Sequence, residues 1–169
     1  VIRQNQIYSH AGYGTPNHWE VYARVGVSDL KIIDAFSSAN ASTMTSKNDF
    51  EGNWKMFGAL GAKGLYPLNE TFGIGAFMQG SYFFSDFRDN VSGIHNGVAF
   101  TAELTVENLW DANLGIGLQA KVPYDIKLYI GPYIYYSEAK ASTSENISGL
   151  KFAAGDTTIK NKANAGGFA

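Results

Sequence analysis

Cysteine is absent from this chain of 169 residues, which excludes a disulfide frame, a thiolate zinc site and a thiol nucleophile. A positive balance is lacking too: 13 Lys and Arg against 15 Asp and Glu leave a formal charge of −2. Binding to a nucleic-acid backbone rests on clustered cations, so nucleic acid is not an expected partner. No window reaches the roughly 18 consecutive apolar residues of a spanning helix. With a mean hydropathy of −0.14, a hydropathy plot files the chain as soluble. Such a plot is blind to strands that alternate apolar and polar residues, because their average is neutral.

What is present is 19 glycines, 10 tyrosines, 11 phenylalanines and 3 tryptophans in a chain that is 45% hydrophobic. Disordered segments are poor in apolar residues, so disorder is excluded for most of the length. The length suits one domain, taken as residues 1–169.

Residues 98–122 are the most informative. Their even positions run Val98, Phe100, Ala102, Leu104, Val106, Asn108, Trp110, Ala112, Leu114, Ile116, Leu118, Ala120 and Val122, and only Asn108 is polar. The odd positions are polar or glycine apart from Ala99 and Leu109. That is period 2, not 3.6, and it predicts one unbroken strand with its two faces in constant phase. At about 3.3 Å per residue it reaches roughly 80 Å, far beyond a soluble domain's usual strand.

The same alternation recurs elsewhere. In 19–28 it sets Trp19, Val21, Ala23, Val25 and Val27 against Glu20, Tyr22, Arg24, Gly26 and Ser28. In 71–86 it sets Phe72, Ile74, Ala76, Met78, Tyr82 and Phe84 against Gly73, Gly75, Gln79 and Ser81. Residues 126–137 follow suit, 55–66 are more apolar on both faces, and 3–13 and 162–169 are weaker. Seven strands and no helix result, an all-β antiparallel up-and-down arrangement.

The connections differ sharply in length. Those at 14–18, 67–70 and 123–125 read as tight turns, whereas 29–54, 87–97 and 138–161 read as long polar loops. Short turns on one side and long loops on the other suit a transmembrane barrel with extracellular loops. Aromatic residues near the strand ends (Tyr13, Trp19, Tyr66, Phe72, Tyr82, Phe84 and Tyr136) are candidates for interfacial girdles. The glycine-rich polar faces suit a narrow interior. On this reading Glu20, Arg24, Lys63, Gln79, Gln119, Lys121 and Lys127 form a polar lumen network. Opposite charges in so narrow a lumen must pair or remain solvated, and a closed plug is the plainer outcome.

No catalytic, metal or cofactor site emerges. His10, His18 and His95 lack zinc-ligand spacing, and Ser9 and His10 point to opposite strand faces, so they form no dyad. The acidic loop start at 86–90 could hold a cation or a lipopolysaccharide phosphate, and an ordinary polar turn is the simpler reading.

Several phrases carry a resemblance: Gly12-Tyr13-Gly14-Thr15-Pro16 before Trp19-Glu20-Val21-Tyr22-Ala23-Arg24-Val25-Gly26, then Gly58-Ala59-Leu60-Gly61-Ala62-Lys63-Gly64, and Val122-Pro123-Tyr124 leading to Tyr129-Ile130-Gly131-Pro132-Tyr133. The chain resembles a small Gram-negative outer-membrane β-barrel of the outer-membrane protein A-like and opacity-type group. The resemblance spans most of the chain and concerns architecture rather than activity. It implies a non-enzymatic protein of the cell outer membrane, with lipid and lipopolysaccharide as partners and a structural or surface-interaction role through loops 29–54, 87–97 and 138–161. Barrels of this group have an even strand number, about 8–10 here, and commonly end on an aromatic residue. Against that pattern stand the direction of the first strand and the ending Gly166-Gly167-Phe168-Ala169, so the expectation is a fragment. The alternatives are a narrow diffusion channel, biased toward anions by Arg24, Lys63, Lys121 and Lys127, and a soluble lipocalin-like ligand barrel.

Overall fold

The computed structural model describes residues 2–15, 19–37, 43–122, 126–147 and 150–168, with the side chains at 43, 126–127, 150–154 and 161–168 outside the described set. The strands are β1 (Ile2–Arg3), β2 (Gln6–Gly14), β3 (Trp19–Ile32), β4 (Thr43–Thr45), β5 (Phe50–Pro67), β6 (Phe72–Phe83), β7 (Phe87–His95), β8 (Val98–Val122), β9 (Ile126–Ile147) and β10 (Leu150–Phe168). They form one antiparallel sheet of ten strands, all-β and barrel-like, that is not closed.

The ten elements collapse into a simple meander. β1 and β2 both pair with β3, on either side of a pinch where Asp29 accepts hydrogen bonds from the Asn5 backbone N–H (2.7 Å) and side-chain amide (2.9 Å). β6 and β7 pair with the two halves of β8, through Tyr82 opposite Trp110 and Phe87 opposite Val106. Each therefore behaves as one long strand, and only the short β4, beside β7, stands apart.

Two of the expected long loops are strand. Residues 87–97 continue β6 into β7 and turn at Asn96 and Gly97, whose φ values of 50° and 81° suit a two-residue hairpin. Phe87 and Val91 are buried there, so the polar composition of 87–97 belongs to the outward positions of a strand. Residues 138–161 fall almost wholly within β9 and β10, with Ala139 and Ala141 buried between outward Ser and Lys residues. Small inward side chains give that strand the composition of a polar loop. Of the three segments, only 29–54 contains longer non-strand stretches among the described residues, at 33–37 and 46–49 on either side of β4, with 38–42 outside the described set.

The strand at 98–122 is continuous, but its faces do not keep one phase. The β8–β9 register slips between Glu107 and Trp110, at Asn108 with φ of 52°. One extra residue in a β-bulge exchanges the two faces of everything beyond it. Below the bulge the odd positions Leu109, Asp111, Gly115 and Gln119 are buried; above it the even positions Ala102 and Val106 are. A matching slip between β3 and β5 exchanges the faces of β5, so that Phe50 and Gly52 point inward at even positions but Phe57 and Ala59 at odd ones.

The bulges divide the wall into two tiers. At the level of the bulges and beyond them toward β4, apolar side chains fill the interior: Leu30, Phe50, Phe57, Ala59, Phe83, Phe87, Val106, Leu109 and Ala139 form the core. Phe83 lies between two aromatic neighbours, with ring centroids 5.6 Å from Phe57 and 5.7 Å from Phe87. The tier toward the short turns has the opposite arrangement.

Candidate functional site

In the short-turn tier the apolar face looks outward. Leu60 is 73% exposed, Ile116 61% and Leu114 54%, and Val21, Val25, Ile74, Met78, Leu118, Ile130 and Ile134 are exposed with them. These side chains occupy corresponding outward positions on neighbouring strands, so they make a continuous belt. Exposed apolar patches beyond a few hundred Å² are rare on monomeric soluble proteins.

Aromatic residues stand at both rims of the belt. Tyr13, Trp19, Tyr66 and Phe72 lie beside the short turns, where Asn69 Oδ1 accepts from the Thr71 and Phe72 backbone N–H groups. Tyr82, Phe84 and Tyr136 lie at the level of the bulges. Tyr82 and Phe84 meet edge-on at 6.0 Å, Trp110 and Tyr136 lie 5.3 Å apart, and the Tyr82 hydroxyl donates to Asn108 Oδ1 at 3.3 Å. Sequence reasoning omitted Trp110 and Trp54 from this upper ring. The signal was available for Trp110, an outward-phase tryptophan two residues after the one polar break in its face.

Beyond the bulges the outer face is mostly polar, with the exposed pair Met44 and Ile94 as an apolar exception. Lys31 Nζ bonds Asp49 (2.9 Å) and Glu51 (2.7 Å), and Lys140 Nζ bonds Asp156 (3.1 Å) across β9 and β10. Asp49 and Asp156 are held below the ordinary carboxylate range, chiefly by these lysines. Lys31 and Lys140 are raised, chiefly by Glu51 and Asp156 respectively. The acidic segment 86–90 is committed to the fold: both Asp89 oxygens take Lys47 Nζ at 2.6 Å, and Oδ2 also accepts the Glu51 N–H at 2.7 Å. Among the described residues no group of three His, Asp or Glu side chains could hold a metal ion.

Inside the short-turn tier, four of the seven lumen candidates meet. Glu20 joins Lys63 Nζ (2.9 Å) and His10 Nε2 (3.2 Å), and Arg24 Nε reaches His10 Nδ1 at 3.3 Å. The Arg24 guanidinium sits 4.8 Å over the Tyr8 ring and 5.0 Å over Tyr22. Tyr22 donates to Gln79 at 3.2 Å, and the Gln79 amide reaches Ser81 at 3.3 Å. His10, Tyr8 and Tyr22 were not among the candidates, although strand phase sets them on the same face. Gln119 lies apart from this network, buried, with no partner for its Oε1. Lys121 stands at the short-turn end, opposite Lys127 in register, and the Lys127 side chain falls outside the described residues.

The network borders a cavity of about 910 Å³ between the short turns and the apolar core. Its wall is glycine-rich. Gly75 pairs with Gly117, and Gly117 approaches Gly131 so closely that a Cβ there would come within 3.4 Å of the Gly131 Cα. Comparison with protein-family models, curated proteins and solved structures finds no match.

Proposed function

We propose that this chain is an integral outer-membrane β-barrel whose short-turn tier lies in lipid and whose polar tier projects into water, with a structural or surface-interaction role and no catalysis. The observation that carries the reading is the exchange of faces at the bulges. A soluble barrel gains nothing by turning its apolar residues outward over one half of its height. In lipid that exchange is what solvation demands, since apolar side chains face the acyl chains while backbone groups pair between strands.

The dimensions agree. On β8 the belt runs from Trp110 to Ala120. About 11 residues at ~3.3 Å each, tilted near 45°, rise roughly 25 Å, the height of an apolar barrel band. All 3 tryptophans, Trp19, Trp54 and Trp110, stand near a rim of that belt. Tryptophan favours such interfaces.

The packed cluster around Phe57, Phe83 and Phe87 favours a plugged interior over a diffusion channel, because apolar rings fill the space where a pore would need water. The outward belt likewise weighs against a lipocalin-like barrel, whose apolar residues line a pocket. Envelope lipid is then the partner of the belt, and any surface partner meets residues 33–49 and the hairpin tip at Asn96 and Gly97. The test is quenching of tryptophan fluorescence by brominated lipids in vesicles. Strong quenching by bromines near the headgroups, and weaker quenching by deep ones, is expected; a monodisperse monomer without detergent or lipid would overturn the reading.

A further inference from the structure

The charged cluster of the short-turn tier leaves one group without an answer. Glu20 is taken on one side by Lys63 Nζ at 2.9 Å and on the other by His10 Nε2 at 3.2 Å. The His10 ring accepts from Arg24 Nε at its Nδ1, 3.3 Å away, so in the neutral form it carries its proton toward Glu20. The Arg24 guanidinium stands against the Tyr8 and Tyr22 rings, and His10 stacks on Tyr22 at 4.9 Å. These contacts hold the guanidinium in place, yet no acceptor among the described residues meets its terminal nitrogens. Those nitrogens are also accessible. Among the described residues Gln119 Oε1 is the one side-chain polar atom both buried and without a partner, whereas Arg24 is partly exposed and lines the cavity.

Among the described residues the charged side chains on the cavity wall are Glu20, Arg24 and Lys63, so two cations face one carboxylate that is already paired. The excess is a single positive charge, and the group that carries it presents a planar fork of N–H donors. A carboxylate matches that fork in a bidentate pair. The rest of the wall sets the body of such a ligand. Glu20, Lys63, Phe77, Gly115 and Tyr133 pair in succession across the sheet, and Phe77 and Tyr133 are 40% and 36% exposed although both line the cavity. Arg24 lies two inward positions nearer the core than this row, roughly 13 Å along the strand at ~3.3 Å per residue, so an elongated acid fits better than a compact one. From these observations we infer that the cavity binds a monocarboxylic acid with an apolar body, its carboxylate on the Arg24 guanidinium and its body along Phe77 and Tyr133. The volume is within the range of small-molecule sites. The inference does not depend on what surrounds the outer wall.

Phenylbutyrate and its neutral amide, phenylbutyramide, are titrated into the folded full chain at neutral pH and followed by amide chemical shifts, with folding of each variant checked by circular dichroism. The expected result is saturable binding of the acid, roughly tenfold or more tighter than the amide. Arg24→Gln should bring the two probes within about twofold of each other. Arg88→Gln, which removes an equal charge from β7 outside the cavity, should leave the preference intact. Glu20→Gln frees Lys63 beside Arg24 and should tighten the acid several-fold without moving the amide, a gain that damage to the fold would not give. Equal binding of acid and amide to the wild-type chain, as simple partitioning would give, overturns the proposal. So does an undiminished preference for the acid in folded Arg24→Gln, and so does its loss in Arg88→Gln, which would assign it to the net charge of the chain. Acid binding to folded Glu20→Gln that is no tighter than to wild type overturns it as well.

Discussion

Val106 and Leu109 are three residues apart on one strand, yet both are buried in the same core, because Asn108 between them adopts a φ of 52°. In a regular strand, residues an odd number apart point to opposite faces. The bulge cancels that rule at one position.

Asn108 occupies the left-handed region, which glycine adopts freely and a β-branched residue resists. Both substitutions lose the exposed Tyr82 contact, so Asn108→Gly should cost little beyond it, whereas Asn108→Val should cost about 1–2 kcal/mol more than Asn108→Gly. Urea unfolding of the refolded protein in micelles measures the difference.

Leu104 and Leu114 share one parity and differ in environment: Leu104 packs against the core, and Leu114 is 54% exposed in the belt. In lipid vesicles Leu114→Arg should destabilise by about 2–4 kcal/mol, the cost of a cation at the lipid midplane of a barrel. Glu103→Arg, on the polar outer face of the same strand, should stay within about 0.5 kcal/mol. Equal effects of the two substitutions on vesicle unfolding would contradict the assignment of the tiers.

Phe57 is 1% exposed and stacks on Phe83. Phe57→Ala should cost about 3–5 kcal/mol, as large-to-small changes in packed cores do. On the plugged reading proposed above, planar-bilayer recording on the wild-type protein should give no stepwise conductance.

Asp89 ties the connection at 33–49 to the wall through Lys47 and the Glu51 N–H. Asp89→Asn keeps the shape but leaves the lysine without its counter-charge. Limited proteolysis should then cut within 33–49 several times faster than in wild type, with the remaining sheet protected.

The Lys31 and Lys140 pairs give stability a defined pH dependence. Depressed Asp49 and Asp156 contribute fully above their unfolded value near 3.8, and their contribution is lost as the pH falls through the lower folded value. Raised Lys31 and Lys140 contribute fully below 10.5 and are lost as the pH rises through the higher folded value. The contribution of these pairs to the unfolding midpoint should be constant between these limits and fall on both sides. Asp156→Asn should make the acid fall shallower, and because the pair is exposed the change should be small.

Much of this wall was legible in the residues. Parity identified the outward set at Val21, Ile74, Leu114 and Ile116 and the inward set at Tyr22 and Gln119, because side-chain direction in a regular strand follows from counting alone. Counting fails at Asn108, where the alternation of residue types runs on unbroken while the backbone inserts one step. No composition signal marks such a step except the lone polar residue itself. The segment 87–97 was read as a loop because its outward residues, Arg88, Asn90 and Ser92, dominate its appearance. Its buried members, Phe87 and Val91, find partners in Val106 and Ala102, which pair with them only once the hairpin closes. Cross-strand groupings such as His10 with Glu20 and Arg24 depend on register, which a single strand does not reveal.

The meander has a further consequence. Counting β1 with β2 and β6 with β7, the order β2, β3, β5, β6, β8, β9, β10 reverses direction at every step. Its first and last strands therefore run the same way. A ring closed by joining β2 directly to β10 must contain one parallel seam, with slanted hydrogen bonds unlike those of every other pair in the wall. A ring with no such seam takes an odd number of further strands between those two edges, each bordering edge strand met head to tail.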